Sequence, residues 1–326
     1  MSRPPSRLPD DLPGPIFTVS EALEAGLRRG RLQSSDLIRL RRGLVARADR
    51  ALTPADVCRA QMRTHEDTVA VGETAAQLWG MPLPSRVPDF PVRLSSPPNV
   101  RRRDDAIVSW SRRRIDQAAV IVVHGVRLLD RPATWASLGA TLPLEDLVII
   151  ADHLLREPRP HYDSGRTTPY ATRAQLAAAI DRSPRTGRPR LREALDRARV
   201  GADSPMETRL RLLLAREGLP EPVLNRPVLG VDGRPIRTFD RLPDGERGPT
   251  PDMQWPAQRV AVEYDGDHHL TREQKDRDVR RRERFRRLGW LDVVVTGRDM
   301  HHGGLAAARK VRSALWERGW RPTGEV

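Results

Sequence analysis

The stretch Val260-Ala-Val-Glu263-Tyr-Asp265-Gly-Asp-His-His269, with Pro251-Asp252 just upstream, decides how the C-terminal part of the chain reads. Val260, Val262 and Tyr264 alternate with positions that include Glu263 and Asp265, the period of two of a β-strand. Asp252–Trp255 reads as a partner strand, joined to it through Pro256-Ala-Gln-Arg259. A turn centred between Ala257 and Gln258 sets Asp252 directly opposite Glu263, where cross-strand Cβ atoms lie roughly 4.5–5.5 Å apart. Asp265 shares the face of Glu263, so three carboxylates converge on a sheet face that must also pack a helix. Opposed like charges destabilise a sheet, and crowded carboxylates raise one another's pKa. A divalent cation is the usual remedy: Mg²⁺ or Mn²⁺ takes one or two carboxylates, activates water and binds a phosphoryl oxygen. Gly266 lets the backbone turn or approach a ligand closely. His269 follows four positions after Asp265 and can move protons near neutral pH.

Outward from this hairpin the elements are regular. Pro205-Met-Glu207 opens a helix that runs to about Glu217 and stops at Gly218. A strand is expected over Pro222–Leu229 and a Gly/Pro-rich loop over Asp240–Thr250. A basic helix spans about Thr271–Leu288, Leu291–Thr296 is a further strand, and Gly304–Arg318 is the last helix. The order is αβββαβα. Thr271–Arg287 holds nine basic and four acidic residues, and so carries the charge excess of this half of the chain. Lys275, Arg277, Arg280, Arg281 and Arg284 are its candidate phosphate contacts, of the kind that give affinity without sequence information and weaken with salt.

Taken together, Pro251-Asp252, Val260–His269, Asp278-Val-Arg-Arg-Arg282 and Leu288-Gly-Trp290 resemble one family. It is a domain of unknown function related to the very-short-patch-repair endonucleases, within the restriction-endonuclease-like PD-(D/E)xK superfamily. The resemblance covers about 115 residues and the element order. It implies Asp252 and Glu263 as metal ligands, Asp265 and His269 as further active-site residues, and Glu207 as a helix-borne acid. The superfamily pattern expects lysine two residues after the second acid, where this chain has Asp265. That leaves the general base open among His269 and the helix cations Lys275 and Arg281.

The rest of the chain reads as a mixed α/β region. Residues 1–15 are Pro-rich and expected to be disordered. Thr18-Val-Ser-Glu21 is a capping box opening a short helix, and a second helix is expected from Ser34 or Ser35, followed by a strand at Gly43-Leu44-Val45. Two short helices and a strand suggest a winged helix over 16–50, with arginines at 28, 29, 31, 39, 41 and 42. Residues 51–160 carry strands near Pro91–Ser95, Ala106–Trp110 and Ala119–Val123, and helices at Glu73–Trp79, from Arg131, and over Leu144–Leu155. Residues 161–203 read as a helical linker, with Ala171–Ile180 a helix and Ser183–Pro189 linker-like, and the main boundary falls near 201–204. Phe17–Gly26, Glu73–Gly80 and Leu128–Thr134 resemble, in that order, the N-terminal part of AbiEi-type antitoxin-like proteins. That resemblance implies a DNA-binding winged helix followed by an α/β interaction region able to take a protein partner.

Composition narrows the setting. The net charge of +14 suggests an anionic partner, with nucleic acid the commonest, although every basic residue except Lys275 and Lys310 is arginine, as in GC-rich genomes. Cys58 is the lone cysteine, so no internal disulfide forms and a reducing cytoplasm is the expected compartment. No apolar run approaches the roughly 18–20 residues that span a bilayer. The chain lacks a Walker loop, a GxGxxG fingerprint and a serine-nucleophile motif. The expected function is metal-dependent phosphodiester hydrolysis, DNA being the first substrate. The alternative is a non-enzymatic DNA-binding regulator of antitoxin type that keeps the nuclease fold as a scaffold.

Overall fold

The computed structural model describes residues 5–112, 114–159, 163, 165–230, 232–236, 249–266 and 272–322, with backbone only over 272–279. The chain is mixed α and β, and it divides into two compact units: Met1–Leu147 with Arg173–Glu193, and Val148–Thr172 with Ala194–Val326. The second unit therefore takes in stretches on both sides of the boundary expected at 201–204. Among the described residues no helix is long and apolar enough to cross a membrane.

In the first unit, β1 (Ile16–Thr18) runs into α1 (Val19–Glu24) through the expected capping box. The Thr18 hydroxyl accepts from the Glu21 N–H, and the Glu21 carboxylate accepts from the Thr18 N–H. The second helix expected from Ser34 does not form. A 3₁₀ turn spans Arg29–Gln33, and β2 (Leu37–Arg41) and β3 (Leu44–Arg47) make an antiparallel hairpin that completes a sheet of order β1-β3-β2. The hairpin signal overrides the helical spacing of Leu37 and Leu40 because Gly43, at φ +81°, closes a tight turn directly before Leu44 and Val45. Helix-turn-helix geometry in the form expected for residues 16–50 is thus absent among the described residues. Leu12 is buried with Phe17, Ala22 and Leu37, so the end of the tail expected to be disordered is packed.

The expectation of a mixed region beyond residue 50 holds, with additions. The capping box Thr53-Pro-Ala-Asp56 opens α2 (Pro54–Thr64), a helix the sequence reading passed over. The elements β4 (Val69–Ala70), α3 (Gly72–Leu78), β5 (Val92–Ser95), β6 (Val108–Ser111), β7 (Val120–Val123) and β8 (Val126–Leu129) follow. Their strands form a mixed sheet of order β6-β5-β4-β8-β7 around a core that includes Val57, Cys58, Val92, Leu94 and Leu128. Next come α4 (Arg131–Ser137), α5 (Leu144–Leu155), α6 (Arg173–Arg182) and α7 (Arg188–Arg197). Helix α7 begins inside the stretch expected to be linker-like, because Pro189 stands in its first turn, where its missing N–H costs nothing.

The second unit follows the predicted order: α8 (Pro205–Arg216), β9 (Val223–Leu224), β10 (Met253–Trp255), β11 (Val260–Asp265), α9 (Arg272–Arg287), β12 (Leu291–Thr296) and α10 (Leu305–Glu317). The sheet order is β12-β11-β10-β9, with β11 and β12 parallel and the other pairs antiparallel. Strand β9 is shorter than expected over Pro222–Leu229, because Pro222 and Pro227 donate no hydrogen bond to a ladder. Val260 and Val262 pack with Leu210, Leu214, Val311 and Leu315 from α8 and α10. Ala261 turns the other way and packs with Val228, Phe285 and Trp290, so α9 covers the opposite face. Each such fully buried Leu, Val or Phe contributes ~1.5–3 kcal/mol of transfer free energy.

Candidate active site

The hairpin register is the one expected from the numbering. Met253 pairs with Val262, Gln254 with Ala261 and Trp255 with Val260. One step further along the same register sets Asp252 beside Glu263. The Tyr264 N–H donates to Asp252 Oδ2 at 2.7 Å, which fixes the carboxylate at the edge of β11.

Strand alternation then sorts the acids. Glu263 and Asp265 follow Ala261 on the face covered by α9, while Val260 and Val262 face α8 and α10. The parallel register places Asp292 of β12 beside Ala261, on that same α9-covered face. From α9, Arg281 reaches Asp292 Oδ1 at 2.9 Å and Glu263 Oε1 at 3.6 Å. The side chain of Asp292 is 5% exposed and that of Glu263 22%. The second oxygen of Asp292, Oδ2, is buried with no hydrogen-bond partner among the described residues.

Glu207 stands in the first turn of α8, where Ser204 caps the helix, and is itself buried. Its Oε2 accepts from Asn225 Nδ2 at 2.7 Å and from the Asp203 N–H at 2.9 Å.

These acids perturb one another. Burial, then the charges of Glu263 and Glu207, push the Asp252 carboxyl up to about 8. Burial pushes Glu263 up to about 7, with Arg281 pulling it down and Asp292, Glu207 and Asp265 pushing it up. Glu207 is raised mainly by burial. Arg281 is the guanidinium that opposes this accumulation of negative charge, and its own pKa is raised by Glu263 and Asp292 against the burial that lowers it.

Of the residues expected to form a site, Glu207, Asp252, Glu263 and Asp265 come together electrostatically. His269 lies outside the described residues, as do the side chains of Lys275 and Arg277. Arg280 is exposed and Arg284 half-buried on α9. Arg281, expected among the phosphate-binding arginines, is instead drawn into the carboxylate cluster. Asp292 was missed. An acid inside the apolar run Leu291-Asp-Val-Val-Val295 is the signal that could have found it, but the β11–β12 register is needed to align it with Glu263. Among the described residues no three His, Cys, Asp or Glu side chains are arranged to hold a metal ion. The donors present, carboxylate oxygens including the unpartnered Asp292 Oδ2, are nonetheless the hard oxygen set that suits Mg²⁺ or Mn²⁺.

No family model matches the chain. Two uncharacterized proteins of Mycobacterium tuberculosis, MT2308 and Rv2248, are each 30% identical to it over 178 residues, 53% of this chain and 60% of the relative. The chain thus matches less than two thirds of the length of these curated relatives. Among solved structures, that of the RV2827C protein from Mycobacterium tuberculosis aligns with 66% of this chain and 79% of its own, at 19% identity and a TM-score of 0.34. A likeness of that size does not assign a fold.

Proposed function

We propose that the second unit is a divalent-metal-dependent phosphodiesterase acting on nucleic acid, with DNA the first substrate to test. The observation that supports this most directly is the adjacency of Asp252 and Glu263, two carboxylates each pushed toward protonation by burial and by its neighbours. A pair held in that state is stabilised by a cation, and the same arrangement is what metal-assisted phosphodiester hydrolysis requires.

On this reading Asp252 and Glu263 would hold the Mg²⁺ or Mn²⁺, which would supply a polarised phosphoryl group and an activated water, and Asp265 would add its negative charge beside Glu263. Asp252 is oriented by the Tyr264 N–H. Asp292 holds Arg281 beside Glu263, so that the guanidinium supplies the fixed positive charge that a lysine at position 265 would have supplied. Glu207 adds negative charge from the start of α8, and Asn225 fixes its orientation. Exposed Arg280 and its neighbours on α9 contact backbone phosphates. His269 is the proposed proton carrier. The antitoxin-like reading of the first unit is likewise proposed as a DNA- or partner-binding region.

The test is direct. Purified full-length protein is incubated with supercoiled, linear and single-stranded DNA and with RNA, in Mg²⁺ or Mn²⁺ and in a chelator. Metal-dependent cleavage of any of these supports the reading. Binding to DNA without cleavage of any substrate favours the non-enzymatic regulator.

A further inference from the structure

The first unit contains a cavity of about 680 Å³ that plays no part in the proposed chemistry. Its size falls in the ~300–1,000 Å³ range of small-molecule pockets. It opens where the loop after β4, the ends of β5 and β6, and helices α4 and α6 meet. The inner wall consists of short side chains. Ala119, Ala133, Ala136 and Ala179 line it with Val71 and Leu129. The small satellite core there, Val69, Val71, Ala119 and Leu129, does not fill the space between sheet and helices. Gly72 contributes to the floor at φ +58°, and a Cβ there would come within 3.3 Å of Arg93 Cδ. Its N–H is held by the Ser137 hydroxyl at 3.2 Å, which fixes that floor.

The polar lining is lopsided in charge. Among the described residues that line it, Arg93, Arg114 and Arg182 stand against one carboxylate, Asp116. Arg93 pairs with Glu73 outside the cavity at 3.1 Å, and Arg182 meets Asp116 only at 3.9 Å. Arg114 is exposed and enters no ion pair among the described residues. Ser109, Ser111 and Thr141 also line the space. Arginines and several hydroxyl-bearing residues around one opening suit a group with three acceptor oxygens, which arginine binds bidentately. The alanine wall behind them suits a flat apolar body.

We propose that this cavity binds a small organic phosphate with a flat, largely apolar body. Arg114 and Arg182 hold the phosphate, and Val71, Leu129 and the alanine wall cover the body. Binding is measured by calorimetry on the full chain with phenyl phosphate, the four nucleoside 5′-monophosphates, inorganic phosphate and benzoate. Phenyl phosphate or a nucleoside monophosphate binds saturably, and inorganic phosphate and benzoate bind more weakly by about tenfold or more. Arg114→Glu and Arg182→Glu, both at exposed positions, each weaken that binding by on the order of tenfold while leaving the melting temperature unchanged. Glu263→Gln, in the other unit, leaves it intact. The proposal is overturned by any one of four results: no aryl phosphate or nucleotide binds, benzoate binds as well as phenyl phosphate, binding survives both arginine reversals, or binding is lost in Glu263→Gln.

Discussion

Asp252 Oδ2 accepts the Tyr264 N–H at 2.7 Å, so the carboxylate one step beyond β10 is tied to the strand that carries Glu263. The tie lowers the pKa of Asp252, yet burial and the neighbouring acids outweigh it and hold the carboxyl near 8. An acid whose folded pKa lies above its unfolded value of about 3.9 costs stability as pH rises between the two, because the folded state binds the extra proton. Asp252→Asn removes that cost. Its stability relative to the parent, measured by urea unfolding without divalent metal, is predicted to rise from pH 5 to pH 8. The rise should be at least about 1.4 kcal/mol, the equivalent of one pK unit. A relative stability that stays flat with pH would contradict the crowding inferred for this pair.

Asp292 is predicted to act on the site through Arg281. It is largely buried and bonds the guanidinium at 2.9 Å, leaving the longer 3.6 Å approach for Glu263. Asp292→Asn frees Arg281 to pair with Glu263 alone, and so to compete with a cation for that carboxylate. The expected outcome is a 10- to 100-fold loss of Mn²⁺ affinity, roughly the effect of removing an outer partner of a metal ligand. A kcat that falls while Mn²⁺ affinity stays unchanged would place Asp292 elsewhere in the mechanism.

Much of the second unit is legible in the chain because its signals are local. Alternation at Val260–Asp265, the glycine stops at 218 and 289, and the short link Pro256–Arg259 set the elements and the hairpin register without any tertiary information. Asp292 and the inward turn of Arg281 were not legible, since both depend on the parallel pairing of β11 with β12, partners separated in sequence by the whole of α9. The first unit was harder for the opposite reason. Leu37 and Leu40 carry a helical spacing within a segment that a hairpin turn converts to strand, and there the turn residue outweighs the periodicity.

The second unit also contains a buried ion pair whose loss should be costly. Asp152 and Arg211 have side chains 1% and 2% exposed and meet at 2.9 Å, and Asp152 also accepts from the Thr208 hydroxyl and the Arg199 N–H. Removing one partner strands a buried charge. Arg211→Met is predicted to lower unfolding free energy by ~3–5 kcal/mol, while the double change Asp152→Leu with Arg211→Met costs less than that single change. Chemical denaturation of the two variants checks the order.

If α9 tracks a phosphate backbone, DNA affinity should fall steeply with salt. Arg280, exposed on that helix, is predicted to contribute about one counterion, so Arg280→Ala lowers the slope of log K against log salt by about 0.9. The reduction should be the same for unrelated DNA sequences, since phosphate contacts carry no base information. A loss confined to one sequence would indicate base reading instead.

The central claim is that the Asp252–Glu263 pair binds a divalent cation. Its most direct test is calorimetric titration of the full-length chain with Mn²⁺ at neutral pH, alongside Glu263→Gln and Asp252→Asn. Saturable binding to the parent chain, with protons released as the ion enters and binding lost in both variants, is the predicted result. Absence of binding to the parent, or binding that persists unchanged in Glu263→Gln, would contradict it.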